Sequence, residues 1–191
     1  GRGVSDERLG PGTKRDERAF ALAMANVGRA GAGDTVAALD LSTARTMLDA
    51  GGGPGVFACA FAQRWPQLQV TLFDRPGTLA VAREFVQSAG VTERVNLLPG
   101  DLFLDSFGGP YDFILCSNVI HMLGEEDNAT LVRKLAGCLA PGGRLCLKDF
   151  FLDARRQEPG SALLFAVNML VNTEQGDCFT TEDAIEWFVE A

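Results

Sequence analysis

Thr46-Met47-Leu48-Asp49-Ala50-Gly51-Gly52-Gly53-Pro54-Gly55 is the stretch that decides how this chain folds. A short apolar run carries an aspartate. Three consecutive glycines follow, then a proline and a fourth glycine, and a helical stretch occupies Val56 to Trp65. The pattern predicts a strand, a glycine loop and a helix, a unit that brings main chain very close to a ligand. Asp49 narrows the ligand. A carboxylate at this turn repels the pyrophosphate of a dinucleotide and suits a positively charged group.

On either side of the loop the period alternates. Asp16 to Val27 has helical spacing through Phe20, Leu22, Ala23 and Val27, and Asp34 reads as the N-cap of a second helix reaching about Leu41. The strand at 46–50 leads into a helix over 54–65, with Pro54 near its first turn. Further strands are expected at 68–73, 94–98, 111–116 and 144–150, and helices at 77–89, 125–139, 160–171 and 180–191. Gly90 stops one helix, and Pro141-Gly142-Gly143 forms a stop and turn after another. Apolar strands alternating with helices imply a Rossmann-like, doubly wound α/β fold, with a mostly parallel sheet covered on both faces. Ligands of such sheets lie beyond the carboxyl ends of the strands. Asp49, Asp74, Asp101, Ser117 and Asp149 all fall at those ends. Residues 1–15, polar and with Gly-Pro-Gly at 10–12, read as linker or mobile terminus.

The chain has 191 residues, a length that suits one domain with a sizeable core. Its net charge of −8 argues against a nucleic-acid partner. No apolar run is long enough to span a bilayer, and no secretory signal pattern opens the chain. The five cysteines, Cys59, Cys116, Cys138, Cys146 and Cys178, match no metal spacing and read as reduced thiols of a cytoplasmic protein. No metal site is expected.

Asp74 ends the second strand about 20 residues past the glycine loop, where an acid accepts two hydrogen bonds from a ribose diol. That placement suits NAD and any other adenosine ligand alike. Gly-x-Gly-x-x-Gly fits poorly, because matching Gly52 and Gly55 to its second and third glycines leaves Ala50 in the first position. Asp-x-Gly-Gly-Gly-x-Gly instead resembles the first motif of S-adenosylmethionine-dependent methyltransferases, and its triple glycine resembles the small-molecule O-methyltransferase family, which includes plant and bacterial antibiotic-biosynthesis enzymes. Gly100-Asp101-Leu102-Phe103 resembles that family's adenine-binding motif. The resemblance implies that Asp49, Gly51, Gly53, Asp74, Asp101, Leu102, Phe103 and Ser117 contact S-adenosylmethionine, with S-adenosylhomocysteine as product.

The same resemblance places His121, the chain's only histidine, on the family's general base. Asp149 falls on the acidic residue that holds this histidine. A phenol with a pKa of about 10 is a poor nucleophile at neutral pH, and an imidazole near 6.5 can take its proton. Three departures stand out. The family's Asp-Trp after the histidine is Met122-Leu123, a cofactor-touching lysine four residues before it is Ser117, and a second flanking glutamate is Cys178. The resemblance implies substrate contacts at Met169 and Asn172, and Phe165 and Phe151 are candidate walls of the same pocket.

The expected activity is O-methylation of a small aromatic hydroxyl compound. C- or N-methylation, or cofactor binding without methyl transfer, is the alternative on the same scaffold. Residues 16–191 read as the catalytic domain. Family members usually carry an N-terminal dimerisation domain and two more C-terminal strands, so both ends look cut, and the full-length protein is expected to be a homodimer.

Overall fold

In the computed structural model the strand at the glycine loop, β1 (Thr46–Ala50), is flanked by α1 (Lys14–Ala38) and α2 (Val56–Arg64). The structure describes residues 14–191, with side chains from residue 18. β2 (Gln69–Asp74), α3 (Pro76–Ser88) and β3 (Val95–Pro99) follow. This first unit runs to Phe107. Its strands pair in parallel, β1 with β2 and β2 with β3, placing Asp49 opposite Leu72 and Asp74 opposite Pro99. Met47, Leu48, Phe61, Leu68, Leu72 and Phe73 are fully buried and make its core.

The two helices expected over 16–27 and from Asp34 to Leu41 are one continuous helix, α1, and Asp34 lies inside it. Lys14 and Arg15 belong to it too, so only 1–13 of the expected linker lies outside the described residues. The physical reason is packing. Ala21, Ala25, Ala32 and Val36 form a buried stripe of small side chains, and Gly28 faces Val56 of α2. Such a stripe lets helices approach closely, and that burial outweighs the low helix propensity of Gly28, Gly31 and Gly33. Helix α2 begins at Val56 rather than at Pro54, because Gly55 is left-handed (φ 82°) and still belongs to the loop.

The second unit, from Gly108, holds β4 (Tyr111–Ser117), a 3-10 turn (Ile120–Met122), α4 (Glu125–Ala136), β5 (Leu139–Lys148), α5 (Gly160–Asn172) and α6 (Thr181–Glu190). β4 and β5 pair in parallel. The strand expected at 144–150 starts earlier, at Leu139, and the preceding helix stops at Ala136 instead of 139. Pro141-Gly142-Gly143 therefore interrupts the strand. Tyr111 pairs with Leu139 and Phe113 with Arg144, so β5 advances five positions while β4 advances two. Gly142 takes φ 78°, and a side chain at Gly143 would press on the carbonyl oxygens of Tyr111 and Ala140. This is a bulge, not the stop and turn expected. Beyond it the register settles as Cys116–Leu147 and Ser117–Lys148.

Ile120, Val132, Phe179, Ala184 and Trp187 form a buried cluster against which Leu145, Leu147 and Phe151 pack. Thr180 caps α6 in a capping box with Asp183, fixing where the last helix starts. With all its strand pairings parallel, the chain has the Rossmann-like α/β architecture that its sequence pattern implies.

Candidate active site

The glycine loop is built tightly around its aspartate. Asp49 is fully buried, and its Oδ2 accepts the Ala58 N–H in the first turn of α2 at 3.1 Å. Its Oδ1 is buried without a partner. Burial pushes the Asp49 carboxyl up to about 7. The Ala58 hydrogen bond opposes the rise, and the Asp74 charge adds to it. Gly52 lies directly above, where a Cβ would overlap the Leu72 side chain and come within 2.6 Å of the Asp49 carboxylate. Gly51 and Gly53 have φ of 68° and 58°, the left-handed region that glycine adopts freely. Gly52 was absent from the expected contacts, although it is the glycine with no room for a side chain.

Asp74 reaches back to the same loop. Its Oδ2 accepts from Gly53 N–H at 2.8 Å and its Oδ1 from Arg75 N–H at 2.7 Å. Each carboxylate oxygen carries two lone pairs, so one on each is left for a ligand diol. Asp101 organises the next turn: its Oδ1 accepts from Phe103 N–H at 2.8 Å and Leu104 N–H at 3.1 Å. A side chain at Gly100 would meet the Phe73 ring at 2.5 Å. Leu102 and Phe103 are half-buried in this turn.

In the second unit, Nδ1 of His121 meets Oδ1 of Asp149 at 2.7 Å. The two side chains are 11% and 2% exposed. Phe150 N–H also donates to that oxygen, at 2.8 Å, while Asp149 Oδ2 is buried without a partner. The pairing makes Nδ1 the protonated nitrogen and leaves Nε2 as the acceptor.

Phe165 stands edge-on to the imidazole with centroids 4.9 Å apart, and Phe150 lies 4.2 Å from Phe165. Phe150 is an aromatic neighbour of the imidazole that sequence reasoning did not single out. Phe151, the candidate named instead, packs on the cluster of Ile120, Val132 and Trp187. Met169 is buried on α5, while Asn172 is exposed and turns its amide back onto Asn168. Cys178 is fully buried, and burial together with the nearby Asp149 charge pushes its thiol up to about 11, so it stays protonated.

Ser117 is buried with its Oγ lacking a partner. Its register neighbour Lys148 donates from Nζ to Asn118 Oδ1 at 3.0 Å, and burial holds that ammonium below its usual value. Among the described residues, no helix is long and apolar enough to cross a membrane, and no group of three or more His, Cys, Asp or Glu side chains could hold a metal ion.

A sequence model of the O-methyltransferase domain matches residues 8–188. The chain is 30% identical over 155 residues to 3-hydroxy-5-methyl-1-naphthoate 3-O-methyltransferase of Streptomyces sahachiroi, covering 81% of this chain and 45% of that protein. It is 34% identical over 152 residues to the mitomycin biosynthesis 6-O-methyltransferase of Streptomyces lavendulae, covering 80% and 42%. The crystal structure of human N-acetylserotonin methyltransferase in complex with SAM superposes with a TM-score of 0.84 at 25% identity, over 93% of this chain and 50% of that one. The chain thus spans about half the length of the relatives it matches.

Proposed function

The chain belongs to the O-methyltransferase domain family, and from that premise we propose that residues 16–191 form the catalytic part of an enzyme that methylates a hydroxyl group on a small aromatic compound. When bound, S-adenosylmethionine supplies a sulfonium methyl group and departs as S-adenosylhomocysteine.

The residues present fit that cofactor. Gly52 packs directly on Leu72 and Asp49 with no room for a Cβ, while at Gly53 a Cβ would meet nothing within 4 Å, so the main chain there is open to close approach by a ligand. The remaining lone pairs of Asp74 suit a ribose diol, and Asp101 suits an exocyclic amine, with Leu102 and Phe103 beside the base. Gly51 and Gly53 shape the loop. Asp49 beneath it supplies negative charge toward a cationic amino-acid end, and Ser117 adds a hydroxyl.

His121 takes the substrate's hydroxyl proton at Nε2. Asp149 keeps Nδ1 protonated and stabilises the imidazolium that forms. Phe165 and Met169 line the aromatic substrate, and Asn172 is assigned to its polar substituents. The observation that carries this reading is the buried 2.7 Å pair of His121 and Asp149. It is the arrangement that makes a lone imidazole a directed base.

The partner is a small molecule rather than a nucleic acid, in keeping with the net charge of −8, and the complete protein is a cytoplasmic homodimer in this reading. Calorimetric titration with S-adenosylhomocysteine, with NAD in parallel and Asp74→Ala as control, tests the cofactor assignment. Binding of the first alone, weakened at least roughly tenfold in the variant, is expected from the loss of charge-assisted hydrogen bonds. Binding of NAD alone overturns the reading.

A further inference from the structure

One helix of the second unit buries a polar residue beneath the turn that carries His121. Asn128 on α4 is fully buried, on the face that also buries Leu131, Val132 and Leu135. Its Nδ2 donates to the Ile120 carbonyl at 3.0 Å. Its Oδ1 is buried with no partner. An orphaned buried acceptor is unfavourable, so an apolar residue of similar size would suit this position better for stability alone.

What Asn128 holds is the 3-10 turn around His121. The Ile120 carbonyl also accepts the bond that closes that turn, from Leu123 N–H at 3.2 Å. The next carbonyl of the turn, that of His121, lies against Gly176. A Cβ there would overlap the His121 carbonyl oxygen and Thr173 Oγ1, and its N–H donates to that same hydroxyl at 2.8 Å. The main chain around the imidazole is thus held from α4 through Ile120 and from the 173–178 loop through His121 itself. Asp149 grips only the ring.

We propose that Asn128 is a positioning residue for His121, kept at the expense of stability because it fixes the turn that aims the imidazole, with Gly176 allowing the close approach of its own loop to the His121 carbonyl. This rests on the reading of His121 as the base.

Nuclear magnetic resonance of the chain tests it, because His121 is the only histidine and its ring signals need no assignment. The wild-type chain is expected to show a downfield Nδ1 proton, held by Asp149, and a single tautomer. Asn128→Leu is expected to keep or raise the thermal midpoint while losing the downfield proton and averaging the two tautomers. Gly176→Ala is expected to lose the same signal. Gly124→Ala, whose Cβ would first meet the far end of the flexible Gln175 side chain, is expected to keep it. Retention of the signal and the single tautomer in Asn128→Leu overturns the proposal. Failure of that variant to fold also overturns it, since the amide would then hold the fold rather than the base. Failure of the base reading appears elsewhere, in unchanged methyl transfer to a phenol by His121→Asn, a result on which the ring signals do not depend.

Discussion

The ring of Phe165 meets the imidazole of His121 edge to face, with centroids 4.9 Å apart and planes inclined at 81°. Phe165 also stacks obliquely on Phe150 at 4.2 Å, so α5 and the residues after β5 together wall one side of the imidazole. Aromatic pairs of this kind contribute about 0.5–1.5 kcal/mol beyond simple burial. Phe165→Ala is expected to raise the KM for a phenolic acceptor by roughly tenfold or less while leaving S-adenosylhomocysteine affinity unchanged. Initial-rate kinetics beside calorimetry check this, and an equal loss of cofactor affinity would contradict it.

Asp149→Asn separates orientation from binding. The amide keeps the size but loses the charge that fixes the Nδ1–H tautomer and stabilises the imidazolium. The turnover rate is expected to fall by about 10²–10⁴-fold, the usual weight of general base catalysis. Cofactor affinity is expected to stay within a few-fold, and single-turnover rates at saturating cofactor decide the matter.

Asp49 makes stability depend on pH. Its folded carboxyl titrates at about 7, against an ordinary value of 3.8. The native state therefore holds a proton that the unfolded chain has lost across this window. Stability from this group is fully present below about pH 4, declines as pH rises toward about 7, and is flat above. Asp49→Asn is expected to abolish that decline and to unfold at a higher temperature than wild type above pH 7. Thermal midpoints measured from pH 4.5 to 8 for both proteins check the sign.

Gly52→Ala probes the space above that carboxylate. The added methyl group overlaps Leu72 and the Asp49 carboxyl, both packed against core, so the loop has to move. Overpacking of this kind costs roughly 1–3 kcal/mol. The variant is expected to lose most S-adenosylhomocysteine binding, whereas Gly33→Ala, which meets nothing within 4 Å, is expected to keep it. Equal binding by the two variants would remove the glycine loop from the ligand site.

Much of this was legible in the sequence because period and spacing are local signals. The strands fell within a residue of their expected bounds wherever apolar runs were clean, as at Gln69–Asp74. The approach of His121 to Asp149 was inferred from family spacing and is seen as a hydrogen bond. The continuity of α1 was hidden because Gly31 and Gly33 are punctuation locally, while the burial of Ala25 and Ala32 that overrides them comes from other helices. The bulge at Pro141-Gly142-Gly143 was hidden for a related reason, since the same residues make turns and bulges and only the partner strand decides. Three identical glycines cannot be told apart by type. Their φ angles and the lack of room for a Cβ at Gly52 distinguish them. Phe150 and Phe151 differ by one position, and that single step assigns one to the imidazole and the other to the Trp187 cluster.

Both oxygens of Asp74 are already engaged by main-chain N–H groups, one of them from the glycine loop itself. The carboxylate and the loop thus hold each other in place before any diol arrives. In the reading proposed for Asp74, an adenosine ligand is expected to dock into a finished mould on this side rather than to assemble one. Its association is then expected to be a single phase, with the difference between a tight ligand and a weak one lying mostly in how slowly it leaves.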